Sequence, residues 1–113
     1  MAEPAKIPAD PLAVIRACVR SGEIYWTYHV NMRLAARSIN RDEIVSAVER
    51  FEVIESYPDD KYLPSYLVLA KSDDKAIHVL FAVDLEGNNV RVITGYRPDP
   101  LVWDADLRKR TTP

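Results

Sequence analysis

His29, Arg33 and Arg37 follow one another at a four-residue spacing. Residues four apart stack on one side of a helix, and at 100° per residue these three span an arc of about 80°. Histidine is the side chain whose ordinary pKa, about 6.5, lets it give and take a proton near neutral pH. Each guanidinium presents a planar fork of donors that can hold two phosphate oxygens at once. Together they suit a backbone phosphate better than a small neutral ligand. Metal-independent RNA cleavage asks for such groups: a base for the 2′-hydroxyl proton, a cation for the phosphorane and an acid for the leaving oxygen. The same face also reads as plain solvated surface, its arginines paired with acids of the 55–60 segment. His29, next to aromatic residues, also reads as a packed histidine.

A second set lies on β-prone segments. Alternation puts His78, Leu80 and Ala82 on one face of a strand, with Ile77, Val79 and Phe81 on the other. In the next strand Val92, Thr94 and Tyr96 share a face, opposite Ile93 and Gly95. Hairpin pairing sets His78 against the far end of that strand, where Tyr96 lies, so His78, Thr94 and Tyr96 can converge; each can also simply pack. Trp26 and Trp103 can stack a base or fill a core. Arg108-Lys109-Arg110 reads as a phosphate contact or as a solubilising end. Two histidines and one cysteine do not make a zinc site. Three glycines leave no Gly-rich phosphate loop, and no Ser-centred nucleophile motif is present. No metal and no cofactor are expected. Cys18, in an apolar helical pattern, reads as a small buried hydrophobe.

These groups need positioning elements. Residues 1–9 read as a flexible arm and residues 10–113 as one α+β domain with a basic C-terminal tail. Asp10-Pro11 starts a first helix that Ser21-Gly22 ends. Residues 24–27 read as a brief strand or an extended lead-in. Thr27 caps a second helix to about Ser38, where Tyr28, Met32, Ala35 and Ala36 share a side beside the basic arc. Asn40 with Glu43 forms a capping box for a third, whose Ile44, Ala47, Val48 and Phe51 recur at helical spacing. The period then changes to strands at 53–57, 66–70, 77–85 and 90–96, with Glu86-Gly87-Asn88-Asn89 as a hairpin loop. Helices followed by a meander predict helices packed on one face of a four-stranded antiparallel sheet, the other face free for a site. The chain has 113 residues, 48% of them apolar, enough for one core without metals or disulfides. Its net charge of −2 argues against a general nucleic-acid binder, although the 29–41 segment holds three arginines and no acid. The acidic, proline-containing start has no apolar signal region and no run spans a membrane, so the reducing cytoplasm is expected.

The pattern Tyr25-x-Thr27-x-His29-x3-Arg33-x3-Arg37-x-Ile39, followed by Asp42-Glu43-Ile44, resembles the opening of a widespread family of small bacterial domains of unknown function. Ile54-Glu55-x-Tyr57-Pro58, Ile77-His78-Val79, Ile93-Thr94-x-Tyr96-x-Pro98, Trp103 and Arg108-x-Arg110 agree in order, so the likeness covers roughly residues 25–110. That family is grouped with the RelE- and barnase-like toxin fold, and its members are often encoded beside a zinc-finger antitoxin. The resemblance implies a toxin-like endoribonuclease with RNA and a cognate antitoxin as partners. On the residues, His29, His78 and Tyr96 are then the catalytic candidates, and Arg33, Arg37, Arg108 and Arg110 the phosphate holders. The alternative is a non-catalytic protein-binding module of the same fold, which the acidic balance favours.

Overall fold

Short polar side chains start each helix by satisfying N–H groups that the first turn leaves unpaired. The computed structural model describes residues 6–73 and 75–111. In α1 (Pro11–Ser21) the Asp10 carboxylate accepts from the Ala13 N–H at 3.1 Å, and Gly22, at φ 81°, closes the helix in the left-handed region. After the short strand β1 (Ile24–Trp26), Thr27 Oγ1 accepts from the Val30 N–H at 3.1 Å and starts α2 (Tyr28–Ala36). Asn40 and Glu43 cap α3 (Arg41–Ser46) reciprocally. Ile44, Ala47 and Phe51 are buried as their spacing predicts, but the helix tightens into a 3₁₀ turn at Val48–Arg50. The strands β2 (Glu52–Tyr57), β3 (Ser65–Ser72), β4 (Lys75–Asp84) and β5 (Asn89–Tyr96) complete the α+β architecture. Of the expected N-terminal arm, residues 1–5 lie outside the described residues, and Pro8 is buried.

The sheet corrects the expected four antiparallel strands. It has five, in the order β1-β5-β4-β3-β2, and is mixed because β1 runs parallel to β5, with Ile24 opposite Val90 and Trp26 opposite Val92. Residues 24–27 read as a brief strand or lead-in, but a partner so far along the chain and its parallel direction leave no local signature. One face buries Val68, Val79, Phe81, Val83, Val90 and Val92 against Ile15, Leu34, Ile44 and Phe51. Each such side chain contributes roughly 1.5–3 kcal/mol by leaving water.

Two bulges set what the opposite face presents. The register shifts between Leu80 and Phe81, whose partners are Thr94 and Val92, so Ile93 is the extra residue. Val92 therefore turns into the core while Thr94 and Tyr96 stay on the open face, correcting the single face expected for all three. A second shift between Val53 and Glu55 sends Val53 toward the helices and pairs Glu55 with Leu67 on the open face. Past the end of β1, α2 covers the edge of β5 with Val30 and Leu34 buried, leaving Tyr28 and Met32 outside. The segment after β5 folds back over the lower open face, where Trp103 bridges to Arg110. Among the described residues no helix is long and apolar enough to cross a membrane.

Candidate functional site

A cleft of about 680 Å³ opens on the sheet face that the helices leave free. Leu67 and Leu80 line it, with Thr94 and Tyr96 from β5 and Glu55 and Tyr57 from β2. The turn at Pro58–Asp60 and Arg110 of the returning tail complete its rim. The two bulges place Glu55, Thr94 and Tyr96 on this face.

His78 meets the far end of β5 as the hairpin pairing predicts, and the bulge at Ile93 sets it directly opposite Tyr96 rather than Gly95. His78 is fully buried and sits behind the cleft rather than in it. Its Nε2 lies 2.8 Å from the Leu107 carbonyl oxygen, which can only accept, so Nε2 carries a proton. Burial pushes the imidazole pKa down, which keeps the ring neutral and leaves the Nδ1 lone pair for the Tyr96 hydroxyl at 3.4 Å. Trp103, buried too, meets the ring edge-on with centroids 4.3 Å apart. Leu107 holds its carbonyl there from a left-handed backbone at φ 62°, a conformation that costs a side-chain-bearing residue about 1–2 kcal/mol. Burial also raises the Tyr96 hydroxyl pKa, so it stays protonated at neutral pH.

On the cleft's other wall Arg110 donates Nε and Nη2 to the Glu55 carboxylate at 2.9 and 3.1 Å, and the Tyr57 hydroxyl donates to the same group. The guanidinium beside it holds the Glu55 carboxyl below the usual carboxylate range. The bond to Glu55 raises the Tyr57 hydroxyl pKa. Arg110 also lies 4.6 Å over the Trp103 ring. Arg108 forks onto Glu52 at 2.7 and 2.9 Å and does not line the cleft. Both tail arginines thus clip the tail to β2.

None of the basic arc lines the cleft, and only Arg37 touches a residue that does. Arg37 donates to the Gly95 carbonyl at 2.7 Å and approaches Thr94 Oγ1 at 3.4 Å on the cleft's β5 side. His29 and Arg33 are exposed on α2 and do not line the cleft. His29 and His78 are therefore not brought together: one faces solvent, the other is sealed under the tail. Trp26 packs against the core with the Arg41 guanidinium 4.8 Å from its ring. Glu55 and Tyr57 were not among the expected site residues; Glu55, within the acidic segment expected to pair with the helix arginines, pairs with Arg110 instead. Their alternation, two apart on a strand, was the available signal. Among the described residues no three His, Cys, Asp or Glu side chains gather as a metal-ligand set.

The cleft thus pairs a carboxylate and guanidinium on β2 and the tail with a histidine-backed phenol on β5. No curated protein and no solved structure matches the chain. Residues 26–102, more than half of the chain, match the family described as a domain of unknown function (DUF4258), and the chain belongs to that family.

Proposed function

We propose that the cleft cleaves single-stranded RNA without a metal, on a fold of the RelE/barnase-like kind. One observation carries this reading: a carboxylate in contact with a guanidinium, and a phenol backed by a neutral histidine, share one open cleft. In the proposed step the 2′-oxygen attacks the adjacent phosphorus as its proton passes to Glu55. The bond to the 5′-oxygen breaks while Tyr96 gives that oxygen a proton, and solvent then takes the proton from Glu55 and returns one to the phenolate. The products are a 2′,3′-cyclic phosphate and a 5′-hydroxyl. Arg110, with its side chain 49% exposed, is free to move its fork from Glu55 to the phosphate. That exchange stabilises the phosphorane and removes the guanidinium's hydrogen bonds, the largest influence depressing Glu55, making it a better base as substrate binds. His78 acts through Tyr96, whose hydroxyl it orients. Arg37, with Arg33 and His29 beyond it, extends the cationic track toward flanking phosphates.

This reading carries the resemblance's biology with it: a toxin acting in the cytoplasm beside a zinc-finger antitoxin. The test is expression from a tightly regulated promoter, followed by growth and RNA integrity. The wild type should arrest growth and leave cyclic phosphate ends. Glu55→Gln and Tyr96→Phe should each lower cleavage by about 10²–10⁴-fold. Normal growth with intact RNA at full expression sinks the proposal. A second reading, a non-catalytic binding module, is favoured by Asp59 and Asp60 on the cleft rim, whose charges repel phosphate. It predicts that all these variants behave as wild type.

A further inference from the structure

The side of α2 that faces neither the sheet nor the cleft has no use in the proposed chemistry. Around this helix Val30 and Leu34 turn into the core, and Arg37 turns toward Thr94. Opposite Val30 and Leu34, Tyr28 and Met32 are 79% and 54% exposed, and Ala35 and Ala36 are exposed beside them. Just before the helix, Tyr25 is 53% exposed as well. Apolar side chains at positions i, i+4, i+7 and i+8 form the seam by which one helix packs on another, and small residues in it let the backbones approach closely. A contiguous exposed apolar seam of this kind marks an interaction surface.

Charge says what fits there. No Asp or Glu occurs from Thr27 to Asn40, and the Arg33 guanidinium makes no hydrogen bond or ion pair among the described residues, while its carbonyl accepts from the Arg37 N–H. An antiparallel pairing with a second copy would set one basic flank against the other and is disfavoured. We propose that this seam docks a helix of another protein whose apolar ridge is flanked by Asp and Glu. Its acids would take Arg33, which flanks the seam, whereas Arg37 stays on the Gly95 carbonyl; docking would thus also withdraw Arg33 from any other anion.

The probes are two synthetic helical peptides with the same leucine ridge, one flanked by Glu and the other by Lys, titrated into the full chain and followed by residue-resolved NMR. The Glu peptide should bind at least tenfold tighter than the Lys peptide and shift signals from Tyr25 to Arg37. Met32→Asp should weaken it at least tenfold with an unchanged unfolding midpoint, and Arg33→Glu should reverse the preference between peptides. Equal affinities, or shifts centred elsewhere, overturn the proposal. A dimer in sedimentation that Met32→Asp dissolves overturns it in favour of a second copy. A single-stranded oligoribonucleotide that shifts Tyr28 and Met32 overturns it in favour of RNA.

Discussion

His78 combines a titratable ring with complete burial, and this gives it a measurable signature apart from any activity. Its folded pKa lies below the ordinary value because burial disfavours the charged ring. As pH falls through about 6.5 the unfolded chain takes up a proton that the folded ring refuses, so stability declines from there downward. The carboxylates of Glu52, Glu55 and Asp60 are held low by Arg108, Arg110 and Ser65. Their stabilisation is present above about pH 4.5 and is lost only below it. Urea denaturation between pH 7.5 and 5.5 (roughly the histidine window) should therefore show declining stability. In His78→Gln, whose amide can still donate to the Leu107 carbonyl, that decline should disappear while the acid transition remains. An unchanged slope in the variant contradicts a buried neutral imidazole. Tyr96→Phe separates the two roles of this pair. Its hydroxyl bond is long, at 3.4 Å, so losing it should cost about 1 kcal/mol or less in the same titrations.

Elements end where backbone geometry forces them to, and Ser38 is a case open to improvement. It follows α2 at φ 56°, with its N–H bonded to the Ala35 carbonyl and the Ile39 N–H to that of Leu34. Glycine adopts that conformation without steric cost, so Ser38→Gly should raise unfolding stability by about 0.5–1 kcal/mol. At the other end of α2, Thr27→Ala removes the acceptor for the Val30 N–H and should lower it by about 1 kcal/mol. Shifts of denaturation midpoint with opposite signs check both together. The caps at Asp10, Thr27 and Asn40 were legible in the sequence because each is a contact within three residues. So was the nearness of His78 to Tyr96 at the far end of one tight hairpin, although their direct pairing depends on the bulge. The bulge at Ile93 was not, since alternation assumes that no residue is extra. The wheel of α2 carries two apolar sectors, and only the sheet decides that Val30 and Leu34 go in rather than Tyr28 and Met32. Hidden for the same reason was the tail: Arg108 and Arg110 meet acids 56 and 55 residues earlier, which no local pattern encodes. Half of the cleft, Glu55 with Arg110, depends on that return.

At the scale of the whole molecule the charge balance decides how RNA can be held. Fifteen basic residues against seventeen acidic ones give a net charge of −2, so no overall field draws a polyanion in. Binding must rest on local cations, and on the proposed reading these are Arg33, Arg37 and Arg110. Each phosphate neutralised on a single strand contributes about −0.7 to the slope of log K against log salt, so three give about −2. Anisotropy of a labelled single-stranded oligoribonucleotide, titrated over roughly 50–200 mM salt, measures this. Arg37→Ala should flatten the slope by about 0.7. Asp59→Asn, which removes an acid from the cleft rim, should tighten binding at every salt concentration by a similar factor. Asp60 is the poorer choice because its carboxylate accepts from Ser65 Oγ at 2.6 Å and supports the loop. A slope near zero means that phosphates do not touch these arginines, and the ribonuclease reading fails with it. A slope steeper than about −4 requires more cations than this surface gathers near the cleft, and would place RNA elsewhere on the molecule.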